Sequence, residues 1–317
     1  MAAQIIFLGA PEADALSFAA RARSDFPGIS LFATNERDAA LPHLGGAEAI
    51  IGHHFQFDEP LLGAAPQLRW IQSLTTGTDA ILKLRALRPQ VTVTSTRGMH
   101  GPQVSELVFL QMLALCRDFP RMQRNQAARQ WQRWPQPLLW GKTIVIVGVG
   151  AIAEALAPRC KAFGMTVYGV SATPRASVGF DKIFARSELR DSAALADFLV
   201  LIVPHSSETE NLVDALVLAA LKPTAFLINV ARGGVLDEEA LMSALHGKRL
   251  AGAALDVFRI QPLPPAHPLW QEERIIITPL VGGMSDIYLD QAYPIVSLNL
   301  EKFLAGQMQQ MLNIVPH

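Results

Sequence analysis

The chain has 317 residues, half of them hydrophobic and 17% charged, with a formal net charge of −1. That length suits two domains with ample core, and a near-neutral balance without a basic block or acidic tail argues against a nucleic-acid partner. Cys116 and Cys160 stand apart from any ligand-spaced histidines, so neither a disulfide scaffold nor a zinc site is expected, and a reducing, cytoplasmic compartment is.

Gln4-Ile5-Ile6-Phe7-Leu8-Gly9 opens the chain as a first strand rather than a leader, and no stretch is long and apolar enough to suggest a membrane span. Further short apolar runs at 29–33, 49–51, 70–74 and 91–94 alternate with helical stretches, which predicts an α/β unit with parallel strands. After Gly101-Pro102, residues 103–117 carry apolar side chains all round, the pattern of a helix buried between domains rather than lying on a surface. Residues 121–134 are polar and basic but include Trp131 and Trp134. Paired tryptophans on such an arm favour docking, so a homodimer is expected. From Gly141 the rhythm resumes, with strands expected at 143–147, 166–170, 198–203, 225–229, 252–255 and 275–278, and a closing helix at 289–305. Six strands in that order describe a doubly wound nucleotide domain.

The strand at 143–147 breaks into Gly148-Val149-Gly150-Ala151-Ile152-Ala153, a G-x-G-x-x-A pattern opening a helix. Gly148 permits the tight turn and Gly150, without a Cβ, lets the backbone approach phosphates. The helix begun by Ala151 and Ile152 offers N–H groups and a positive dipole end to an anion. A glycine turn between any strand and helix shares these letters; the β-branched strand before it favours the nucleotide reading.

More specific letters follow in the second half. Asn229-Val230-Ala231-Arg232-Gly233-Gly234-Val235-Leu236-Asp237 and Ala253-Ala254-Leu255-Asp256-Val257-Phe258 resemble the D-2-hydroxyacid dehydrogenase family. The likeness extends over nearly the whole chain, through Thr75-Thr76-Gly77-Thr78-Asp79, Arg97-Gly98-Met99-His100-Gly101-Pro102, Pro262-Leu263-Pro264 and Gly282-Gly283-Met284. These are similar to the branch called glyoxylate/hydroxypyruvate reductase A. The resemblance implies an α/β protein of two Rossmann-like doubly wound domains, with an NAD(P)-binding domain at 98–286 inserted into a smaller substrate domain at 1–97 and 287–317. It also implies a small carboxylate substrate. Arg232 resembles the family's substrate arginine, whose guanidinium fork matches a carboxylate and keeps its charge. Thr76 and Gly77 resemble the loop whose N–H groups hold the other side of that carboxylate.

Two positions depart from the family pattern. Relatives place a glutamate where this chain has Gln261 and a proton-exchanging histidine where it has Leu280. Leucine cannot carry a proton, and a general acid or base contributes roughly 10²–10⁴ in rate. The two changes are mutually consistent, because a carboxylate without its cationic partner would suffer desolvation. His100 is the first candidate for a replacement proton donor. His53, His54, His205, Asp286 and Tyr288 are weaker ones, read first as surface or packing residues.

Cofactor choice turns on Val170-Ser171-Ala172-Thr173-Pro174-Arg175, at the end of the nucleotide domain's second strand. An NAD site commonly places an acid there. With none present, and with Ser171, Thr173 and Arg175 able to bind a 2′-phosphate, NADP is favoured over NAD. By the family likeness the nicotinamide end meets Val203, Pro204, Val230, Ala231 and Gly282, with Asp256 accepting from the carboxamide. Three readings stay open: a reductase of a small 2-oxo acid with an atypical proton donor, a sensor that binds dinucleotide and carboxylate without turnover, and hydride transfer that needs no protein acid.

Overall fold

The apolar runs of the sequence pair as parallel strands buried on both faces. The computed structural model describes residues 3–11 and 13–317, and the chain divides into two units, Met1–Met99 with Met284–His317, and His100–Gly283.

The first unit contains β1 (Gln4–Leu8), α1 (Ala15–Asp25), β2 (Ser30–Thr34), β3 (Ala49–Gly52), α2 (Glu59–Gly63), β4 (Trp70–Ser73), α3 (Asp79–Leu82) and β5 (Thr92–Thr94). Its sheet order is β2-β1-β3-β4-β5, with every pair parallel. Alternation along the strands feeds two separate cores. Ile5 and Phe7 face Phe18 of α1 and Tyr293 and Val296 of the closing helix, whereas Ile6 and Leu8 face Leu44 and Leu61. Helix α1 shows why the local sequence obeys. The Asp14 carboxylate accepts from Ser17 N at 2.8 Å as an N-cap, and Ala15, Phe18, Ala19 and Ala22 form one buried stripe.

The second unit begins with α4 (Gly101–Arg117) and α5 (Phe119–Ala127) and continues through β6 (Thr143–Val147), α6 (Ala151–Ala162), β7 (Thr166–Ser171), β8 (Lys182–Ala185), α7 (Leu189–Ala193), β9 (Phe198–Leu201), α8 (Ala215–Ala220), β10 (Phe226–Asn229), α9 (Glu238–His246), β11 (Gly252–Leu255) and β12 (Ile275–Ile277). The closing helix, α10 (Tyr288–Leu304), belongs to the first unit. The sheet runs β12-β11-β10-β9-β6-β7-β8, again all parallel. Both units are therefore doubly wound.

This sheet has one strand more than the sequence led us to expect. β8 sits at the edge, and of its four residues only Phe184 is buried; its apolar run, Ile183-Phe184-Ala185, is short and flanked by Lys182 and Arg186. Nor is α4 buried all round: Val104, Val108 and Met112 enter the core, whereas Leu110 is 59% exposed. Gly101 lets α4 approach α6 closely, because a Cβ there would lie 2.9 Å from that of Ala155.

Register fixes where the chemistry can sit. Val147, Leu201, Asn229, Leu255 and Ile277 form one row across β6, β9, β10, β11 and β12. The segments beginning at Gly148, Ile202, Val230, Asp256 and Thr278 therefore all leave the sheet along one carboxyl edge. Order reverses between β9 and β6, the switch point at which doubly wound sheets hold ligands.

Candidate active site

Gly148 adopts φ +106°, where a side chain would be strained, and a Cβ there would strike Val203 Cγ1 at 2.9 Å and the Ile202 carbonyl at 3.0 Å. Gly150 is the contrary case: nothing lies within 4 Å of the position its Cβ would take. It stands at the N-cap of α6 without a side-chain cap, so the first-turn N–H groups, those of Ala151 and Ile152 among them, face open space. Ala153 is fully buried where the helix meets the sheet. A crowded first glycine, an open second one and an uncapped helix start fit a pyrophosphate. Gly148, Gly150, Ser171, Val203 and Pro204 line a pocket on this edge.

Thr173 and Arg175 lie outside that lining. The Ser171 hydroxyl closes a local turn, donating to Thr173 O at 3.1 Å and accepting from Thr173 N at 3.3 Å. Arg175 turns instead to Glu154 of α6, at 2.5 Å. Of the expected trio, Ser171 alone lines this pocket.

Beyond β10 the turn is built to present Arg232. Asn229 is fully buried and clamps both arms, accepting from Ala231 N at 3.0 Å and donating to Arg232 O at 3.1 Å. Arg232 Nη1 donates to Ala231 O at 2.7 Å. Gly233 is obligatory, since a Cβ would overlap the Phe258 carbonyl carbon at 1.9 Å. A Cβ on Gly234 would meet the His205 ring at 2.5 Å. That ring is bonded to Glu210, which also pairs with Arg259 at 2.9 Å. Asp237 then caps α9 through Ala240 N at 2.9 Å.

Asp256 also ties its own surroundings together. Its carboxylate accepts from the Thr278 hydroxyl at 2.6 Å, Val281 N at 3.0 Å and Gly282 N at 2.9 Å, so its oxygens are engaged within the protein. Burial raises its pKa, against the lowering effect of those three bonds. The arrangement pins the turn that carries Leu280, which is left-handed at φ 56° and 48% exposed. Gly282 is needed there, because a Cβ would lie 2.9 Å from both Asp256 Oδ2 and Leu107 Cδ2. Gln261 is exposed on the loop after β11.

His100, at the N-cap of α4, lies against this same turn: a Cβ on Gly283 would be 3.5 Å from its Cδ2. Burial, reinforced by the charge of Arg232, pushes its imidazole down to about 4. The ring is therefore neutral at physiological pH. Val230 and Ala231 follow β10 on this edge as part of the Arg232 turn.

In the first unit Thr76 is exposed and Gly77 half-buried on the turn after β4. Thr75 organises that turn, its hydroxyl lying 2.9 Å from Ser73 Oγ, 3.0 Å from Gly77 O and 3.1 Å from His54 Nδ1. His53 is buried beside Phe55, the Tyr288 hydroxyl donates to Leu74 O, and Asp286 is exposed.

Residues 109–282 match the model of the D-isomer specific 2-hydroxyacid dehydrogenase family, NAD binding domain. The chain belongs to that family. Similar proteins include glyoxylate reductases of Thermofilum pendens and Pyrococcus horikoshii, each 32% identical over 266 residues, covering 81% of this chain and 78% and 79% of theirs. Among solved structures, a D-isomer specific 2-hydroxyacid dehydrogenase family protein from Aeromonas salmonicida superposes with a TM-score of 0.91 at 32% identity, over 99% of both chains. A D-isomer specific 2-hydroxyacid dehydrogenase from Xanthobacter autotrophicus, in complex with NADPH and MES, gives 0.82 at 26% identity over 99% of this chain and 98% of that one. The open second glycine and uncapped α6 leave room for the dinucleotide that such a family uses. Sequence reasoning missed two supporting residues, the clamp Asn229 and the pocket-lining Arg186. Asn229 stood inside a quoted motif, but Arg186 follows the strand that the sequence did not reveal.

Proposed function

We propose that this chain is an NAD(P)-dependent reductase of a small 2-oxo acid of the glyoxylate or hydroxypyruvate kind. The observation that carries this reading is the common carboxyl edge, on which the glycine turn and the Arg232 turn emerge from one row of parallel strands. A bound reduced nicotinamide would supply hydride to the carbonyl carbon. Arg232 grips the substrate carboxylate and polarises the adjacent carbonyl.

With Leu280 in place of a proton-exchanging side chain, the proton reaches the carbonyl oxygen from water. His100 is neutral and acts by donating a hydrogen bond to that oxygen rather than as an imidazolium acid. A second reading, a dinucleotide- and carboxylate-binding sensor without turnover, is favoured by the half-exposed aliphatic side chain of Leu280 at the proton-exchange position. The free, buried thiols Cys116 and Cys160 fit a reducing, cytoplasmic location.

A homodimer is also proposed. Trp131 is 93% exposed and Trp140 is 74% exposed, the latter packed on Gly164. Trp134, by contrast, is already covered by the Arg121 guanidinium, 4.3 Å from its ring.

Purified protein mixed with NADPH or NADH and glyoxylate or hydroxypyruvate is followed at the reduced-nicotinamide absorbance band. Turnover by the parent is expected. Cofactor binding without parental turnover, together with strong turnover in the Gln261→Glu, Leu280→His double variant, would establish the sensor instead.

A further inference from the structure

We propose that Arg186 selects a dinucleotide carrying a 2′-phosphate, NADP over NAD, and that Glu208 holds its guanidinium in place until that phosphate arrives. The assignment rests on the oxidoreductase reading and deepens it by naming the residue that chooses the cofactor. Parallel pairing sets Ser171 of β7 opposite Ala185 of β8, so the chain leaves β8 at Arg186, level with Ala172. Arg186, Ser171 and Ala172 line the same pocket as Gly148 and Gly150. In this fold the end of the strand following the glycine helix meets the adenosine ribose, where an NAD site commonly supplies an acid. Here residues 171–175 carry none.

The charge that reaches the pocket is a guanidinium, whose planar fork matches a phosphate. Arg175 lies outside the pocket lining and is turned to Glu154, which also accepts from the Ser177 hydroxyl at 3.4 Å. Arg186 Nη1 lies 2.7 Å from Glu208 Oε2, with the arginine side chain 29% exposed and the glutamate 75% exposed. A carboxylate so well solvated is a weak partner, and a phosphate dianion displaces it readily.

The test is calorimetric: dissociation constants of NADPH, NADH and 2′,5′-ADP for the full-length protein and three variants. The parent should bind NADPH at least about tenfold more tightly than NADH, the worth of one charge-assisted contact. Arg186→Gln should erase that margin and the binding of 2′,5′-ADP while retaining NADH affinity, which also reports that the variant is folded. Glu208→Gln should tighten NADPH and leave NADH alone, and Arg175→Gln should leave the margin intact. A margin that survives Arg186→Gln, or disappears only in Arg175→Gln, overturns the assignment. So does a parent that prefers NADH and loses that preference in Glu208→Gln, since Glu208 would then be binding ribose hydroxyls. Failure of both dinucleotides to bind the parent overturns the oxidoreductase reading as well; binding of both with a margin unmoved by Arg186→Gln overturns this assignment alone.

Discussion

Leu280, His100 and Arg232 show how far one side chain's surroundings decide its chemistry. Leu280 is held in a left-handed conformation that costs a bulky residue roughly 1–2 kcal/mol, and the three bonds to Asp256 keep the turn in that shape. His100 lies against the same turn with its imidazole pushed down to about 4 by burial first and by Arg232 second. Between pH 4 and 6.5 the unfolded chain therefore binds a proton at this residue that the folded chain refuses. The stability it contributes is complete above 6.5 and is lost as pH falls toward 4, by about 3 kcal/mol over the window. Urea unfolding at pH 7 and pH 4.5 should show that loss in the parent and a smaller one in His100→Gln. Because the ring is already neutral at pH 6, kcat for oxo-acid reduction should stay level from pH 6 to 8. A rise toward low pH would instead identify an imidazolium donor. Arg232→Ala should lower kcat/KM for the oxo acid by at least about 100-fold, and Arg232→Lys should recover only part, because an ammonium lacks the bidentate fork. Steady-state kinetics with both variants checks this, with NADPH affinity as the control for folding.

The turns at the carboxyl edge depend more on what passes behind them than on their own propensities. Gly233 opens a short 3-10 turn after the extended Arg232, and its necessity comes from Phe258, whose backbone runs through the place a Cβ would occupy. Gly233→Ala should cost about 3 kcal/mol or more and displace Arg232, as measured by chemical denaturation alongside oxo-acid kinetics. That glycine was visible in the motif, but its cause was not, since Phe258 lies 25 residues away along the chain. β8 is the clearest element the sequence concealed. Its four residues lie at the sheet edge with mixed exposure, and its short apolar run, Ile183-Phe184-Ala185, is hemmed by Lys182 and Arg186. The other strands of the second unit were legible because burial on both faces demands continuous apolar residues. Missing β8 also hid Arg186, whose approach to Ser171 exists only through the pairing of β7 with β8.

On the scale of the whole molecule, exposed apolar surface is the feature the fold leaves unresolved within one chain. Trp131 and Trp140 are largely exposed, and beside Trp140's perch on Gly164 Phe163 pairs with Phe109 at 4.8 Å. Light scattering should give twice the 34.5 kDa chain mass, and Trp131→Glu with Trp140→Glu should return it to one chain without unfolding it. Among the described residues no helix is long and apolar enough to cross a membrane. By itself the sequence determined the doubly wound architecture, the glycine turn and the arginine motif, because each follows from local rules: strand burial, the space a phosphate requires and the shape of a guanidinium. Only the tertiary structure decided which charge faces the pocket, which carboxylate is engaged and which histidine stays neutral. Ion pairing and desolvation depend on neighbours brought together from distant parts of the chain: Glu154 draws Arg175 aside, the Thr278–Gly282 turn engages Asp256, and burial beside Arg232 strips the charge from His100.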